Sequence, residues 1–504
     1  RLRNAAAVGE ELLRYFADLR GLSEEDLDDL RRETYLALAS TNMALDSPRR
    51  AIGYLNPNPN PHPNPNPKTE PQPMVEYEFG GPAGAVGVMV GLPLVIYGLY
   101  FACGADTCAT ELGALGRVTE GLTGDFGGLY SAYAMGLFMM WMAGQVVLER
   151  ILPGEAALGV ELKDKSRLSY VLSGHLQFWA TLAVLLFGAV EYADADGDLR
   201  FIKFTSLPLS LIYDHYLGLI TASVIFSFGL STYLYATSLT KPMVKLADGG
   251  QTGNVVYDFF IGRELNPRIF DFDLKVFCEL RPGLIGWAVI NLGCAFKQYE
   301  NLGYLTAPML LVNLFQGLYV WDALYYERAI LTTMDVTTDG FGFMLAFGDL
   351  AWVPFTYSLQ ARYLVDHDPG LSSAALLCIV LLKVVGYTIF RGANSQKDAF
   401  RRDPNSTTVA HLKTMDTKRG RKLLISGWWG VARKINYTGD WLMGLSWCLL
   451  CGFDTIIPYF YAIYFGVLLV HRAIRDDHMC GQKYGDDWAK YKAHVPYAFI
   501  PYVF

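Results

Sequence analysis

The chain has 504 residues and a net charge of −7, and 52% of its residues are hydrophobic whereas only 18% are charged. Together with a mean hydropathy of +0.22, this composition excludes an ordinary soluble protein and predicts a polytopic membrane protein. Neither the composition nor any motif indicates nucleic-acid binding.

The first 73 residues differ from the rest of the chain. Residues 1–50 show helical periodicity with acid-rich faces, which predicts a small soluble helical segment and a candidate binding surface for an unidentified protein. Residues 51–73 contain an Asn-Pro repeat. Because proline lacks a backbone N–H and restricts the residue before it, this repeat predicts a disordered linker. Residues 74–504 are predicted to form the transmembrane domain.

Long apolar runs recur from Pro82 to Val470. A hydrocarbon core of about 30 Å needs about 20 helical residues, so the first four runs and the sixth to eighth are predicted to be complete spans. The last two are shorter and are separated by Asp454 and Pro458, which favours a re-entrant segment or a tight helical hairpin. We therefore predict an all-α protein with about ten transmembrane helices. The runs lie at about residues 82–103, 127–148, 169–190, 209–238, 283–297, 303–326, 341–364, 371–390, 441–453 and 456–470.

Charge in the loops predicts the orientation. Between Arg391 and Lys434 there are eleven Lys or Arg residues and three Asp, which predicts that this segment and the charged C-terminal tail face the cytosol. The eight cysteines lack the spacing of a zinc site, so no metal is expected. Cys103 and Cys108 either form a disulfide in an extracytosolic loop or remain two thiols.

Polar residues interrupt two of the apolar runs. In the sixth run they recur at spacings of three and four, which places them in one stripe on a helix; the seventh run adds a second set. Structural ion pairs are the simpler interpretation for any one of these residues, whereas the whole set favours a polar pocket within the membrane. The sets are Asn313, Gln316, Tyr319, Asp322, Tyr326 and Glu327, and Asp339, Asp349, Tyr357, Gln360 and Arg362.

The basic segment also contains groups suited to a nucleotide. Lys397 and Arg401 are four residues apart on one helical face and can hold a phosphate. Trp429, Asn436 and Tyr437 offer aromatic faces and an amide for a ring. No GxGxxG sequence follows a strand, so a Rossmann domain is not expected.

Four long segments, in order, are similar to the sterol reductase family, which includes the sterol C14 reductases and the C-terminal half of the lamin B receptor. The resemblance covers about residues 74–504. It implies NADPH-dependent reduction of the sterol C14=C15 double bond, in the endoplasmic reticulum or nuclear envelope of a eukaryote. The segments are FFIGRELNPRIFDFDLKVFCELRPGLIGW, DGFGFMLAFGDLAWVPFTYSLQARYL, NYTGDWLMGLSWCLLCGF and the closing HRAIRDDHMCGQKYGDDWAKYKAHVPYAFIPYVF.

The resemblance also implies a cytosol-facing NADPH pocket in the C-terminal half, open to the membrane from which the sterol enters. Arg472 and Arg475 in the closing segment are expected to meet cofactor phosphates. The family's cofactor positions fall on Lys397, Arg401, Leu424, Trp429, Asn436, Tyr437, Asp476, Cys480, Lys483, Tyr484 and Tyr491.

An unactivated double bond accepts hydride poorly, so reduction is expected to begin with protonation at C15, followed by hydride transfer to C14. The expected proton donors are Tyr319, on the polar stripe, and Asp476, linked to it from the closing segment. Three alternatives stay open: a C7 or other sterol reductase, an enzyme like the isoprenylcysteine carboxyl methyltransferases, and a membrane scaffold like the lamin B receptor.

Overall fold

The computed structural model describes residues 77–104, 108, 116, 119–121, 124, 126–162, 165–195 and 199–501. The predicted N-terminal helical segment and Asn-Pro linker lie outside the described residues.

Helices dominate the described part of the chain, and those of nine or more residues are numbered here. They are α1 Gly81–Ala102, α2 Ala132–Ile151, α3 Gly174–Phe187, α4 Tyr216–Ser238, α5 Gly286–Leu302, α6 Ala307–Tyr325, α7 Ser373–Arg402, α8 Ile435–Leu449, α9 Phe460–Tyr484 and α10 Asp486–His494. Shorter helical segments are Phe126–Leu129, Leu211–Asp214, Met243–Lys245, Asp248–Gly250, Val255–Ile261, Leu274–Cys278, Glu279–Ile285, Glu327–Ile330, Met334–Thr337, Phe343–Phe347, Gly348–Trp352, Val353–Tyr357, Leu359–Asp366, Trp428–Val431 and Ile457–Tyr459.

The prediction of an all-α fold needs correction, because the described loops contain four antiparallel two-stranded hairpins. The pairs are β1 Glu155–Glu161 with β2 Arg167–Leu172, β3 Ala189–Ala195 with β4 Leu199–Thr205, β5 Arg268–Ile269 with β6 Phe272–Asp273, and β7 Thr414–Asp416 with β8 Lys422–Leu424. Strand β2 occupies the start of the third apolar run, so α3 has only 14 residues. Cys103 and Cys108 form a disulfide.

Five described helices are long and apolar enough to cross a membrane: α1, α2, α4, α7, and α9 with the turn before it. These coincide with predicted runs. As predicted, Asp454 and Pro458 lie between the members of the closing pair, which is a hairpin in which α8 and α9 pack together. Helix α9 is longer than its predicted run at 456–470, because it continues unbroken into the charged closing segment.

The run at 341–364 is not one regular helix. It is divided into short pieces around the π-helical segment Gly348–Trp352, and Glu279–Ile285 forms a second π-helical segment that contains Pro282. The two segments pack closely, since a Cβ added at Gly283 would lie 2.8 Å from the carbonyl oxygen of Asp349. Single π-helical turns in longer helices often mark functional regions.

Several polar side chains within this bundle hold helices together. Arg281 is 1% exposed and binds the carboxylates of Glu149 and Glu327 at 2.6 and 2.7 Å. The side chain of Gln316 accepts hydrogen bonds from Trp287 and Asn291. Removing one partner from such a buried group leaves the other without its hydrogen bond or counter-charge, which is strongly destabilising.

Candidate active site

The predicted phosphate-binding pair lies on the last turns of α7, because the basic segment begins as a continuation of that helix. The ammonium of Lys397 lies 4.4 Å from the centroid of the Trp429 ring. Arg401 is exposed, while its neighbour Arg402 forms an ion pair with Asp398. Among the described residues, neither Lys397 nor Arg401 has an ion-pair partner, so both cations are available to a ligand.

The β7–β8 hairpin and the turn after it support this end of α7. Leu424 and Trp429 are buried together with Ala393 and Phe400. The indole N–H of Trp429 donates to the carbonyl oxygen of Ala393 at 2.8 Å, which fixes the ring against the helix. The tryptophan face is thereby held beside Lys397.

Asn436 and Tyr437 lie on the first turn of α8. The amide of Asn436 donates to the side-chain oxygen of Asn394 at 3.3 Å, whereas its own Oδ1 is buried without a hydrogen-bond partner. Buried polar atoms are nearly always hydrogen-bonded. The unsatisfied oxygen of Asn436 therefore points to a ligand or water that would donate to it.

Helix α9 brings the closing segment to the same region. Asp476 forms an ion pair with Lys434, and the thiol of Cys480 donates to its carboxylate at 3.6 Å. Lys397 interacts electrostatically with Lys434, Asp476 and Cys480. The predicted residues of α7, the start of α8 and α9 are thus neighbours.

The last three predicted cofactor residues adjoin α10. Lys483 is exposed and lies 5.4 Å from the ring centroid of Tyr484. Tyr491 stacks on Trp488, which also packs on Tyr484. Burial raises the pKa of the Tyr491 phenol to about 12, so this hydroxyl stays neutral at physiological pH and remains able to donate a hydrogen bond.

Arg472 and Arg475, which are expected to meet cofactor phosphates, have carboxylate partners in the protein. Arg472 donates to both carboxylate oxygens of Asp335, at 2.8 and 2.7 Å. Arg475 binds Asp339 at 3.1 Å and Glu78 at 3.0 Å. The contacts with Asp335 and Asp339 connect α9 to the segment just before the interrupted run 341–364. A phosphate would have to compete with these carboxylates.

Tyr319 lies in an aromatic cluster on α6. Its ring centroid is 5.8 Å from that of Trp287 and 5.6 Å from that of Trp447. Its phenol interacts with the carboxyl group of Asp440 on α8, whereas Asp476 contacts Lys434 and Cys480. Tyr319 thus interacts with a carboxyl group that was not among the predicted site residues, that of Asp440.

Most other members of the polar stripe have structural partners. Asp322 forms an ion pair with Arg391 and accepts a hydrogen bond from Tyr387 at 2.9 Å. Glu327 and Gln316 belong to the buried networks of the fold. A structural role thus accounts for these residues, whereas Tyr319 interacts with the carboxyl group of Asp440.

Three residues near the site were not among the predicted site residues: Lys383, Lys434 and Asp440. Lys383 lies inside the apolar run 371–390, and Asp440 directly precedes the run 441–453. An ionisable residue inside or beside a membrane span indicates a functional site, so both residues could have been found from the sequence. The pairing of Lys434 with Asp476 had no such signal, because 42 residues separate them.

A separate apolar cavity of about 580 Å³ lies between α2, α3 and the two π-helical segments, and Gln145 and Thr181 are among its few polar lining residues. None of the predicted site residues lines it. Gly286 lines the cavity, and the next residue, Trp287, contacts the ring of Tyr319.

Comparison with known proteins gives one family and several relatives. The model of the ergosterol biosynthesis ERG4/ERG24 family matches residues 73–504. The Delta(14)-sterol reductase TM7SF2 of Mus musculus is 48% identical over 427 residues, covering 85% of this chain and 97% of the relative. For the Delta(14)-sterol reductase erg24 of Schizosaccharomyces pombe the identity is 46%, with coverage of 85% and 97%. The Delta(14)-sterol reductase LBR of Gallus gallus is 45% identical, with coverage of 84% and 64%.

Proposed function

We propose that NADPH is the hydride donor of this chain, which belongs to the ergosterol biosynthesis ERG4/ERG24 family and reduces the C14=C15 double bond of sterols. The predicted sterol reductase membership and the oxidoreductase assignment are confirmed. The observation that carries the function is the extent of the match to curated Delta(14)-sterol reductases, nearly the full length of two of them. This match favours a sterol reductase over the methyltransferase and scaffold alternatives.

Support for a dinucleotide comes from three features of the C-terminal half. Lys397, Arg401 and Lys483 are cations without a carboxylate partner among the described residues, as phosphate groups require. Trp429 offers an aromatic face, and Asn436 has an unsatisfied amide oxygen. We assign the phosphates to Lys397 and Arg401, and contacts with the nucleotide rings to Leu424, Trp429, Tyr437, Tyr484 and Tyr491.

We assign separate roles in the reaction to Tyr319 and Asp476. The Tyr319 phenol is surrounded by Trp287 and Trp447, which keep water from a cationic sterol, and it gives its proton to C15. Asp476, paired with Lys434, is assigned to the cofactor side of the reacting carbon. Arg472 helps to hold this arrangement by fixing α9 to Asp335.

Selectivity for the 2′-phosphate provides the first test. We expect Arg401→Ala to weaken NADPH binding about ten- to hundredfold, because a charge-assisted hydrogen bond contributes about 1.5–3 kcal/mol, while NADH binding changes little. Cofactor fluorescence titration of the purified protein in detergent measures both constants.

Arg402→Ala is the matched control for this test. Its guanidinium is next in the chain and equally part of the basic segment, but it already pairs with Asp398. We expect both cofactors to bind this variant as they bind the wild type. An equal loss of NADPH and NADH affinity in Arg401→Ala would count against the phosphate assignment.

The setting proposed for the reaction is the endoplasmic reticulum membrane. The chain is a multi-pass membrane protein, and its sterol substrate resides in the bilayer. We propose that α3, α5, α6, α8 and the interrupted run 341–364 bring the number of membrane crossings to about ten. We also propose that residues 1–73 are a separate segment that binds a protein.

A further inference from the structure

Two ionisable side chains near Tyr319 have no role in the proposed function: Asp440 on α8 and Lys383 on α7. We propose that Asp440 is a positioning residue that orients the Tyr319 phenol and restores its proton after each turnover, with Lys383 facing the charge left on Asp440. This inference rests on the proposed function, since it concerns the same proton donor.

Three helices bring these groups together. Asp440 interacts with the phenol of Tyr319 and, electrostatically, with Lys383. The ammonium of Lys383 lies 4.8 Å from the ring centroid of Trp447 and 5.8 Å from that of Tyr319. The packing of α7 against α8 is among the most extensive in the molecule, so their spacing is well fixed.

The hydrogen-bonding state of the two groups is unusual. Lys383 is 6% exposed, yet its Nζ has no hydrogen-bond partner, and Oδ1 of Asp440 is likewise buried without one. Among the described residues the two do not form an ion pair within 4.0 Å. No direct contact therefore joins the two side chains, and each retains an unused hydrogen-bonding position.

A purely structural role predicts a different arrangement. Buried charges that hold a fold together are paired and hydrogen-bonded, because an unpaired charge is costly. Arg281 illustrates this, since it binds Glu149 and Glu327 directly. Asp440 and Lys383 have no such direct pair, as expected if Asp440 is a neutral carboxylic acid before turnover, and this favours a function at the Tyr319 phenol.

The π electrons of C14=C15 take the phenolic proton of Tyr319, so a C15–H bond forms, the O–H bond breaks, and a C14 cation and a phenolate result. Hydride addition at C14 completes the reduced sterol. The carboxyl proton of Asp440 then passes to the phenolate, and the carboxylate takes one proton from water. One proton and one hydride are consumed in total.

The test uses Asp440→Asn in the full-length chain, because asparagine keeps the shape but cannot supply the acidic proton. We expect kcat to fall about 100-fold, in the range typical of acid–base groups. The ratio of kcat in H2O to kcat in D2O is expected to rise, as reprotonation becomes limiting. The sterol KM and the NADPH dissociation constant are expected to stay unchanged.

Two further variants keep the proposal falsifiable if asparagine disturbs the helix. Asp440→Ala is expected to regain activity when sodium formate supplies a small carboxylic acid, and Asp454→Asn, in the exposed connection after α8, is expected to match the wild type. Wild-type kcat in Asp440→Asn would overturn the inference. So would a loss of kcat with equally weakened NADPH binding, an unchanged isotope ratio and no formate rescue. If the wild type reduces no Δ14 sterol, the proposed function itself fails.

Discussion

Tyr319→Phe is expected to lower kcat for sterol reduction by about 10²–10⁴-fold, the range typical of a general acid, while NADPH binding stays unchanged. Phenylalanine keeps the ring between Trp287 and Trp447, so the aromatic cluster stays packed. What is lost is the hydroxyl that faces Asp440. Single-turnover measurement with saturating NADPH, followed by sterol analysis, determines the rate of the chemical step.

The control for this variant is Tyr325→Phe on the same helix. Its side chain is 56% exposed and packs on Trp321 at the surface of α6, so its hydroxyl is remote from the proposed chemistry and turnover should match the wild type. A fully active Tyr319→Phe enzyme would remove this phenol from the mechanism.

Asp476→Asn is expected to cause the second large effect, a decrease in kcat of about 100-fold or more, with NADPH binding weakened but still measurable. The variant removes the ion pair with Lys434 and the contact with the Cys480 thiol. Asparagine keeps the shape of aspartate and its oxygen can still accept hydrogen bonds from both partners, so the fold should persist. Parallel kcat and NADPH titration measurements separate the two effects.

Asp477→Asn tests whether position in the closing segment is enough to produce this effect. The Asp477 carboxylate accepts hydrogen bonds from Trp488 and Lys492, and an asparagine oxygen can still accept from the indole. We expect near wild-type turnover. If Asp476→Asn and Asp477→Asn behave alike, Asp476 has no special place in the reaction.

The long apolar helices were predictable from the sequence, because hydropathy over about 20 residues is a local property. The π-helical segments were not, since they depend on how Gly283 packs against the backbone of Asp349. The length of α9 was underestimated because the apolar run ends at Val470, whereas the helix continues through charged residues to Tyr484.

The pairings within the candidate site were less predictable than the helices. Of the residues implied by the family resemblance, the structure places Arg401, Trp429, Asp476 and Cys480 near Lys397. The partner of Arg472 was not predictable, because Asp335 lies 137 residues away in the chain and only tertiary packing brings them together. The same holds for Asp440, whose proximity to Tyr319 depends on the contact between α6 and α8.

The most direct test of the central claim is mass spectrometry of sterols after incubation of the purified chain with NADPH and, separately, Δ14, Δ7 and Δ24(28) sterols. We predict that the Δ14 sterol gains two hydrogens and that one of them carries the label when the transferable hydride of NADPH is deuterated. Reduction of only the Δ7 or Δ24(28) sterol, or Δ14 reduction without label from NADPH, would contradict the account.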